Sequence, residues 1–237
     1  MSWRRSSASL FLRPLVAAAL LATASAAAAD ILVVRSTGPS AKSYPPGRRL
    51  PETARIALQA SDQLVVLDGR GTRVIRGPGT FTAGSGASGR IASAAPSIER
   101  RARIGAVRGP DEGPDRPPSI WHVDVARSSN VCVGDPSKVM LWRADHSRAA
   151  MLTIASQGAR SKRLGWEPGS STLAWPSELP VAEGAEYRLS GAGAAATIRF
   201  RTMPAKPAGL EDTAQALIRN QCDAQLDLFI ETVKLPG

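Results

Sequence analysis

The chain has 237 residues, and its 30 lysines and arginines outnumber its 20 aspartates and glutamates. This length allows one large domain or two small ones with a real hydrophobic core. The net charge of +10 indicates a generally basic composition that aids solubility, and attraction to polyanionic partners is the alternative. The spacing of the only two cysteines, Cys132 and Cys222, excludes the local cysteine motifs of zinc sites.

The first 29 residues have the pattern of a secretory signal peptide. Arg4 and Arg5 form a positive start, an apolar run covers residues 10–21, and alanines at 26–29 offer a cleavage site before Asp30. The run is too short for a transmembrane anchor. We therefore predict an exported protein, periplasmic or secreted, with no stable membrane insertion after cleavage and no nucleic-acid partner. Its polyanionic partners would be envelope polymers, lipid head groups or acidic proteins.

Residues 30–83 predict a small all-β module. Short apolar runs begin at Ile31, Ile56, Leu64 and Thr72 and are separated by glycine, proline and aspartate turns. The turns and strands resemble those of FecR-type proteins. The similar segments are residues 60–64, Asp68, residues 71–73 and residues 77–81.

The resemblance implies a compact FecR-like β-module at the N-terminus of the mature chain. FecR proteins proper are inner-membrane regulators with a cytoplasmic anti-sigma segment and a membrane helix before this module. Because this chain has neither, we expect an exported stand-alone FecR-like protein without the sigma-factor role. Ser61 stands where the FecR pattern has a glycine before the aspartate.

Residues 84–118 predict a linker rich in glycine, proline and arginine. The basic run Arg100, Arg101 and Arg103 is a candidate contact for a polyanionic partner, and the alternative is a solvated charge run.

The same segment contains a G-x-G-x-x-G match at Gly84, Gly86 and Gly89. Dinucleotide binding needs these glycines between a strand and a helix of a βαβ unit. Pro96 and Pro110 bracket the match instead, so we expect no cofactor.

Residues 119–204 predict an immunoglobulin-like β-sandwich, because about seven short strands follow one another at roughly ten-residue spacing. Its tryptophans could form the sandwich core or an exposed partner-binding face. Trp175, which precedes Pro176 at a strand end, is the best candidate for the exposed position. The four tryptophans are Trp121, Trp142, Trp166 and Trp175.

Residues 205–237 predict two short helices that pack against the sandwich. Leu210, Ala214 and Leu217 share one helical face, and a second apolar face begins at Leu226. Asp223 is a possible N-cap of the second helix.

Cys222 lies at the joint between these two helices. An exported chain makes a disulfide between Cys132 and Cys222 reasonable, and two buried thiols are the alternative.

No catalytic or metal-binding motif is evident. Only His122 and His146 are available as imidazole bases, no G-x-S-x-G elbow occurs, and no acidic spacing matches a metal loop.

We therefore expect a non-enzymatic binding or accessory protein of the bacterial cell envelope that holds or senses a protein or glycan partner. One alternative is an extracytoplasmic regulatory subunit of a signalling complex. A less favoured one is a hydrolase of envelope polymers, which would need a concave site near His122 or His146.

Overall fold

The computed structural model describes residues 30–85, 116–156, 161–203 and 207–234. The predicted signal peptide and most of the predicted linker lie outside the described residues. The described part is mainly β, as predicted, with four sheets and two C-terminal helices.

The strands and helices follow in chain order. The N-terminal strands are β1 (Asp30–Thr37), β2 (Arg49–Pro51), β3 (Arg55–Leu58), β4 (Gln63–Asp68), β5 (Gly71–Arg76) and β6 (Gly79–Thr82). The second group is β7 (His122–Asp124), β8 (Ser129–Val133), β9 (Met140–Trp142), β10 (Ala150–Ser156), β11 (Lys162–Trp166), β12 (Thr172–Ala174), β13 (Glu186–Gly191) and β14 (Ala194–Thr202). The helices are α1 (Leu210–Arg219) and α2 (Asp223–Thr232).

The N-terminal sheet has the antiparallel order β2-β1-β4-β5 and is buried on both faces. Leu64 and Val66 of β4 face a core shared with the two-stranded β3-β6 ladder. Val65 and Leu67 of the same strand face the helices. Because both faces are covered, these strands are continuous apolar runs instead of alternating polar and apolar residues.

The second group of strands forms a β-sandwich around one hydrophobic core. A five-stranded sheet of order β11-β10-β13-β14-β8 and a three-stranded sheet of order β12-β9-β7 both contribute to this core. The pairs β14-β8 and β7-β9 are parallel, and the other pairs are antiparallel. A sandwich is therefore present with eight strands, one more than predicted, and the immunoglobulin-like comparison stays a prediction.

The helical pair is present where the apolar periodicity predicted it, and it packs against the N-terminal sheet as well as the sandwich. Leu217 of α1 and Leu226 and Phe229 of α2 share a core with Leu32 of the N-terminal sheet. The same core includes the sandwich residue Cys132. The expected packing of the helices on the sandwich is therefore present, and the N-terminal sheet is a second partner because it also has an apolar face to bury.

The start of α2 also differs from the prediction. Cys222 is the N-cap residue and Asp223 is the first residue of the helix. Asp223 therefore lies in the first turn, where a carboxylate interacts favourably with the helix dipole.

Within the described residues, no helix has the length and apolar character needed to cross a membrane.

Candidate functional site

A disulfide joins the sandwich to the start of α2. Cys132 on β8 is bonded to Cys222, with their Cα atoms 5.9 Å apart and a sequence separation of 90. Both residues are buried. The predicted pairing is confirmed, and it fixes the N-terminal end of α2 against the edge strand of the five-stranded sheet.

Gln225, one turn into α2, binds the same edge strand. The backbone N–H of Cys132 donates to Gln225 Oε1 at 2.6 Å, and Gln225 Nε2 donates to the carbonyl oxygen of Cys132 at 3.0 Å. Nε2 also donates to the carbonyl oxygen of Ile120 at 2.9 Å. The side chain is buried and satisfies backbone groups that an edge strand would otherwise leave unpaired.

Asp227 forms ion pairs that connect three separate parts of the chain. Its carboxylate forms ion pairs with Arg35 of β1 and with Arg127, which lies between β7 and β8. The Arg127 contact measures 3.5 Å. A residue of α2 therefore holds one arginine from the N-terminal sheet and one from the sandwich.

A groove runs between α2 and the β7-β8 edge of the sandwich. We call it the α2 groove, and its volume is about 320 Å³. Apolar side chains line its floor, and charged side chains of both signs line its rim. The floor includes Ile120, Val131 and Leu228, and the rim includes Arg116, Arg127, Asp227 and Glu231.

His122 and Asp124 also line this groove. They are alternate residues of β7, so they share the strand face opposite Val123, which lies in the sandwich core. Burial raises the pKa of the Asp124 carboxyl above its ordinary value, although the backbone N–H of Ala126 and the charge of Arg127 act in the opposite direction. Asp124 therefore holds its proton to a higher pH than a solvent-exposed aspartate.

The groove brings a histidine, a carboxylate and the hydroxyl of Ser129 into one concavity. Nucleophilic catalysis requires hydrogen bonds from nucleophile to base and from base to an orienting group. Among the described residues, His122 Nδ1 is buried and has no hydrogen-bond partner. The carboxylate of Asp124 accepts the Ala126 N–H at 2.9 Å. The described groove lacks the connected relay that a hydrolase of this type uses.

Both histidines of the chain, His122 and His146, lie in the described ranges. There, no group of three or more His, Cys, Asp or Glu side chains is arranged to hold a metal ion. His146 lies in the loop after β9, with Nδ1 3.0 Å from the carbonyl oxygen of Ala144. Asp145 accepts hydrogen bonds from the backbone and hydroxyl of Ser147.

Trp175 is not on the surface, so the prediction that it is exposed is wrong. Its ring packs edge-to-face against Tyr187 and Phe200, with both centroid distances 5.0 Å. Its Nε1–H donates to the carbonyl oxygen of Leu179 at 2.9 Å. The three residues between Trp175 and Leu179 form a turn that brings the Leu179 carbonyl oxygen to the ring and satisfies its one donor.

The other tryptophans give no exposed aromatic face. Trp142 and Trp166 are buried in the sandwich, and Trp121 is half-buried. Over the described part of the chain, the one large hydrophobic side chain that is exposed is Met151.

The predicted basic contact residues, Arg100, Arg101 and Arg103, lie outside the described residues. Gly86 and Gly89 of the dinucleotide pattern do as well.

Gln225 and Asp227 are not among the site residues predicted from the sequence. A polar residue among the apolar positions of α2 was the available signal, since Gln225 is next to Leu226 and is equally buried. Its partners are about 90 residues away in sequence, so no local pattern could identify them.

Comparisons with known proteins found no match: no family model fits the chain, and no curated protein or solved structure is significantly similar to it. The resemblance to FecR-type modules therefore has no support beyond the residues that suggested it.

Proposed function

We propose that this chain is an exported, non-enzymatic binding protein of the bacterial cell envelope, and that its partner is a protein segment held in the α2 groove. The observation that carries the proposal is the preformed groove between α2 and β7-β8. A ready-made concave surface avoids the free-energy cost of ordering the site when a partner binds.

The covalent and polar contacts of α2 support a preformed groove. The Cys132–Cys222 disulfide fixes one end of α2, and Gln225 and Asp227 bind the sandwich and the N-terminal sheet along its length. A disulfide of this span is also compatible with the oxidising compartment that the predicted signal peptide implies.

The character of the groove favours a peptide over a glycan. An apolar floor with positive and negative groups on its rim suits a segment whose apolar side chains alternate with charged ones. Glycan recognition commonly uses exposed aromatic rings as stacking platforms, and the described residues offer no exposed aromatic side chain. The groove therefore supports a protein partner better than a glycan partner.

A capture experiment tests this function. The mature chain, residues 30–237, is immobilised and exposed to an envelope fraction, beside a Glu231→Lys variant that reverses a charge on the groove rim. Asp212→Lys makes the same reversal on α1, away from the groove, and is the matched control. We expect one stoichiometric protein with the wild type and the control and its loss with Glu231→Lys. Retention on purified cell-wall polymer, unaffected by Glu231→Lys, would contradict the proposal.

The second candidate is a hydrolase, because His122 and Asp124 line the same groove. Envelope-polymer cleavage that persists in the purified mature chain and disappears in His122→Ala would favour it.

A further inference from the structure

The sandwich contains a second concave site, at the end where the β13-β14 turn lies. We call it the rim pocket. Its volume is about 380 Å³, and it shares no lining residue with the α2 groove. Alanine and glycine form most of its wall, among them Ala126, Ala149, Ala192 and Gly193. These small side chains leave the space open, and the long side chains that line it are those of Arg143 and Arg148.

Arg143 is buried, with 3% of its surface exposed, although it carries a permanent charge. Its guanidinium lies over the ring of Trp166, 4.9 Å from the ring centroid. Nε donates to the carbonyl oxygen of Ser170 at 3.3 Å, and Nη2 donates to that of Glu167 at 2.9 Å. These contacts fix the plane of the guanidinium.

The charge of Arg143 is not neutralised by a direct ion pair. Among the described residues, Arg143 forms no ion pair, and its guanidinium hydrogen bonds go from Nε and Nη2 to backbone carbonyl oxygens. Burying a guanidinium without a counter-ion is unfavourable unless another group supplies the missing negative charge. Burial accordingly lowers the pKa of Arg143, although the charge of Asp145 opposes that effect.

Arg148 adds a second positive charge to the same pocket from an exposed position. Asp145 also lines the pocket and offsets one of the two charges. Hydrogen bonds from Ser147 lower the pKa of Asp145, with smaller effects from Arg148 and Arg143, so it is ionised at neutral pH. The pocket thus keeps one net positive charge, with a fixed guanidinium on one wall.

We propose that the rim pocket binds an oxyanion group, a carboxylate or a phosphate, between the guanidinium of Arg143 and the side chain of Arg148. A guanidinium edge matches the oxygen spacing of either anion. The small wall residues let the anion approach without displacing other side chains. This inference is independent of the α2 groove, so its failure would leave the proposed partner binding untouched.

Titration of the mature chain with sodium phosphate and, separately, with sodium acetate tests the proposal. Ionic strength is held constant, because screening alone changes surface electrostatics. The readout is the NMR shift of the Ala192 and Gly193 amides, which border the pocket. We expect saturable shifts with at least one anion. The anion with the lower dissociation constant shows whether the pocket prefers a phosphate or a carboxylate.

Three variants make the test specific. Arg148→Gln should weaken binding roughly fivefold, whereas Arg163→Gln, an equal loss of charge on the five-stranded sheet, should leave it unchanged. Asp145→Asn should tighten binding about threefold because a competing carboxylate is removed. If Asp145 only supported the local structure, its replacement by asparagine would not increase the affinity for the anion.

Any one of three results would contradict the oxyanion site. The first is that neither anion gives saturable shifts. The others are that Arg148→Gln and Arg163→Gln weaken anion binding equally, or that Asp145→Asn does not tighten it. Arg148 and Asp145 are both exposed, so these variants avoid the folding defect that a substitution of buried Arg143 would introduce.

Discussion

The side-chain amide of Gln225 pairs with both backbone polar groups of Cys132, the residue whose sulfur is bonded to Cys222. Cys132, a residue of the edge strand β8, is therefore joined to α2 both by a covalent bond and by two backbone hydrogen bonds to one side chain. Together they attach α2 to the sandwich and form the wall of the α2 groove.

Replacement of Gln225 by leucine tests the polar half of this attachment. The leucine keeps most of the volume but leaves the Cys132 N–H and two carbonyl oxygens buried without partners, which should lower the free energy of unfolding by about 2–3 kcal/mol. Urea unfolding of the mature chain measures the change. Gln215→Leu is the control, since Gln215 makes one half-buried hydrogen bond, to the carbonyl oxygen of Gly47 at 3.3 Å. An equal loss in both variants would contradict a special role for Gln225.

Removal of the disulfide tests the covalent half. Cys132→Ala together with Cys222→Ala releases a loop of 90 residues, which should reduce the free energy of unfolding by about 4 kcal/mol in the chain-entropy model. Reduction of the wild-type protein should give a similar loss and should leave the double variant unaffected. Two free thiols in protein recovered from its native compartment would contradict the disulfide.

We expect replacement of Ser61 by glycine to stabilise the fold. The Ser61 φ of 70° lies in the left-handed region, which is unfavourable for a residue with a Cβ atom. Ser61→Gly should therefore raise the free energy of unfolding by about 0.5–1 kcal/mol, after the greater flexibility of glycine in the unfolded chain is subtracted. Thermal unfolding checks this, with Ser61→Ala expected to give no gain.

The environment of Asp62 leads us to expect a lower free energy of unfolding in acid. Asp62 is buried, and its carboxylate accepts the backbone N–H groups of Ser40 at 2.9 Å and Gln59 at 2.5 Å. Burial raises the pKa of Asp62, but a hydrogen bond from the Ser40 side chain and these two backbone hydrogen bonds outweigh it and hold the pKa below the ordinary value of 3.8. A lowered pKa stabilises the folded state above the ordinary value, and this contribution is lost as the pH falls through the folded-state pKa.

Urea unfolding at a series of pH values tests the Asp62 prediction. Asp62→Asn should be less stable than the wild type at neutral pH, and the difference should shrink as the pH falls below 3.8. A difference that is constant with pH would show that the carboxylate charge plays no part.

Much of the fold was predictable because hydrophobic patterning is local. The strands at Ile31, Leu64 and Thr72 and both helices appear where the apolar runs predict them. Strand β11 was missed because Lys162, Arg163 and Gly165 mask the alternation of Leu164 and Trp166, a pattern tolerated at the edge of a sheet. The short edge strand β2 was missed because it ends in Pro51.

The candidate sites were less predictable because they combine distant segments. The disulfide could be predicted because the chain has only two cysteines. The α2 groove requires β7, β8 and α2 to meet, and the rim pocket requires a buried Arg143, a residue type that sequence patterns place at the surface. Trp175 was misplaced for a similar reason, since its burial depends on Tyr187 and Phe200 of distant strands.

Photo-cross-linking in the envelope tests most directly whether the α2 groove holds a protein partner. A photo-activatable residue is placed at position 231 on the groove rim and, in a second protein, at position 212 on α1. We expect a cross-link to one protein from position 231 and none from position 212. We also expect this protein, once purified, to bind the mature chain. Cross-linking from neither position, or equally from both, would contradict the binding of a protein partner in the α2 groove.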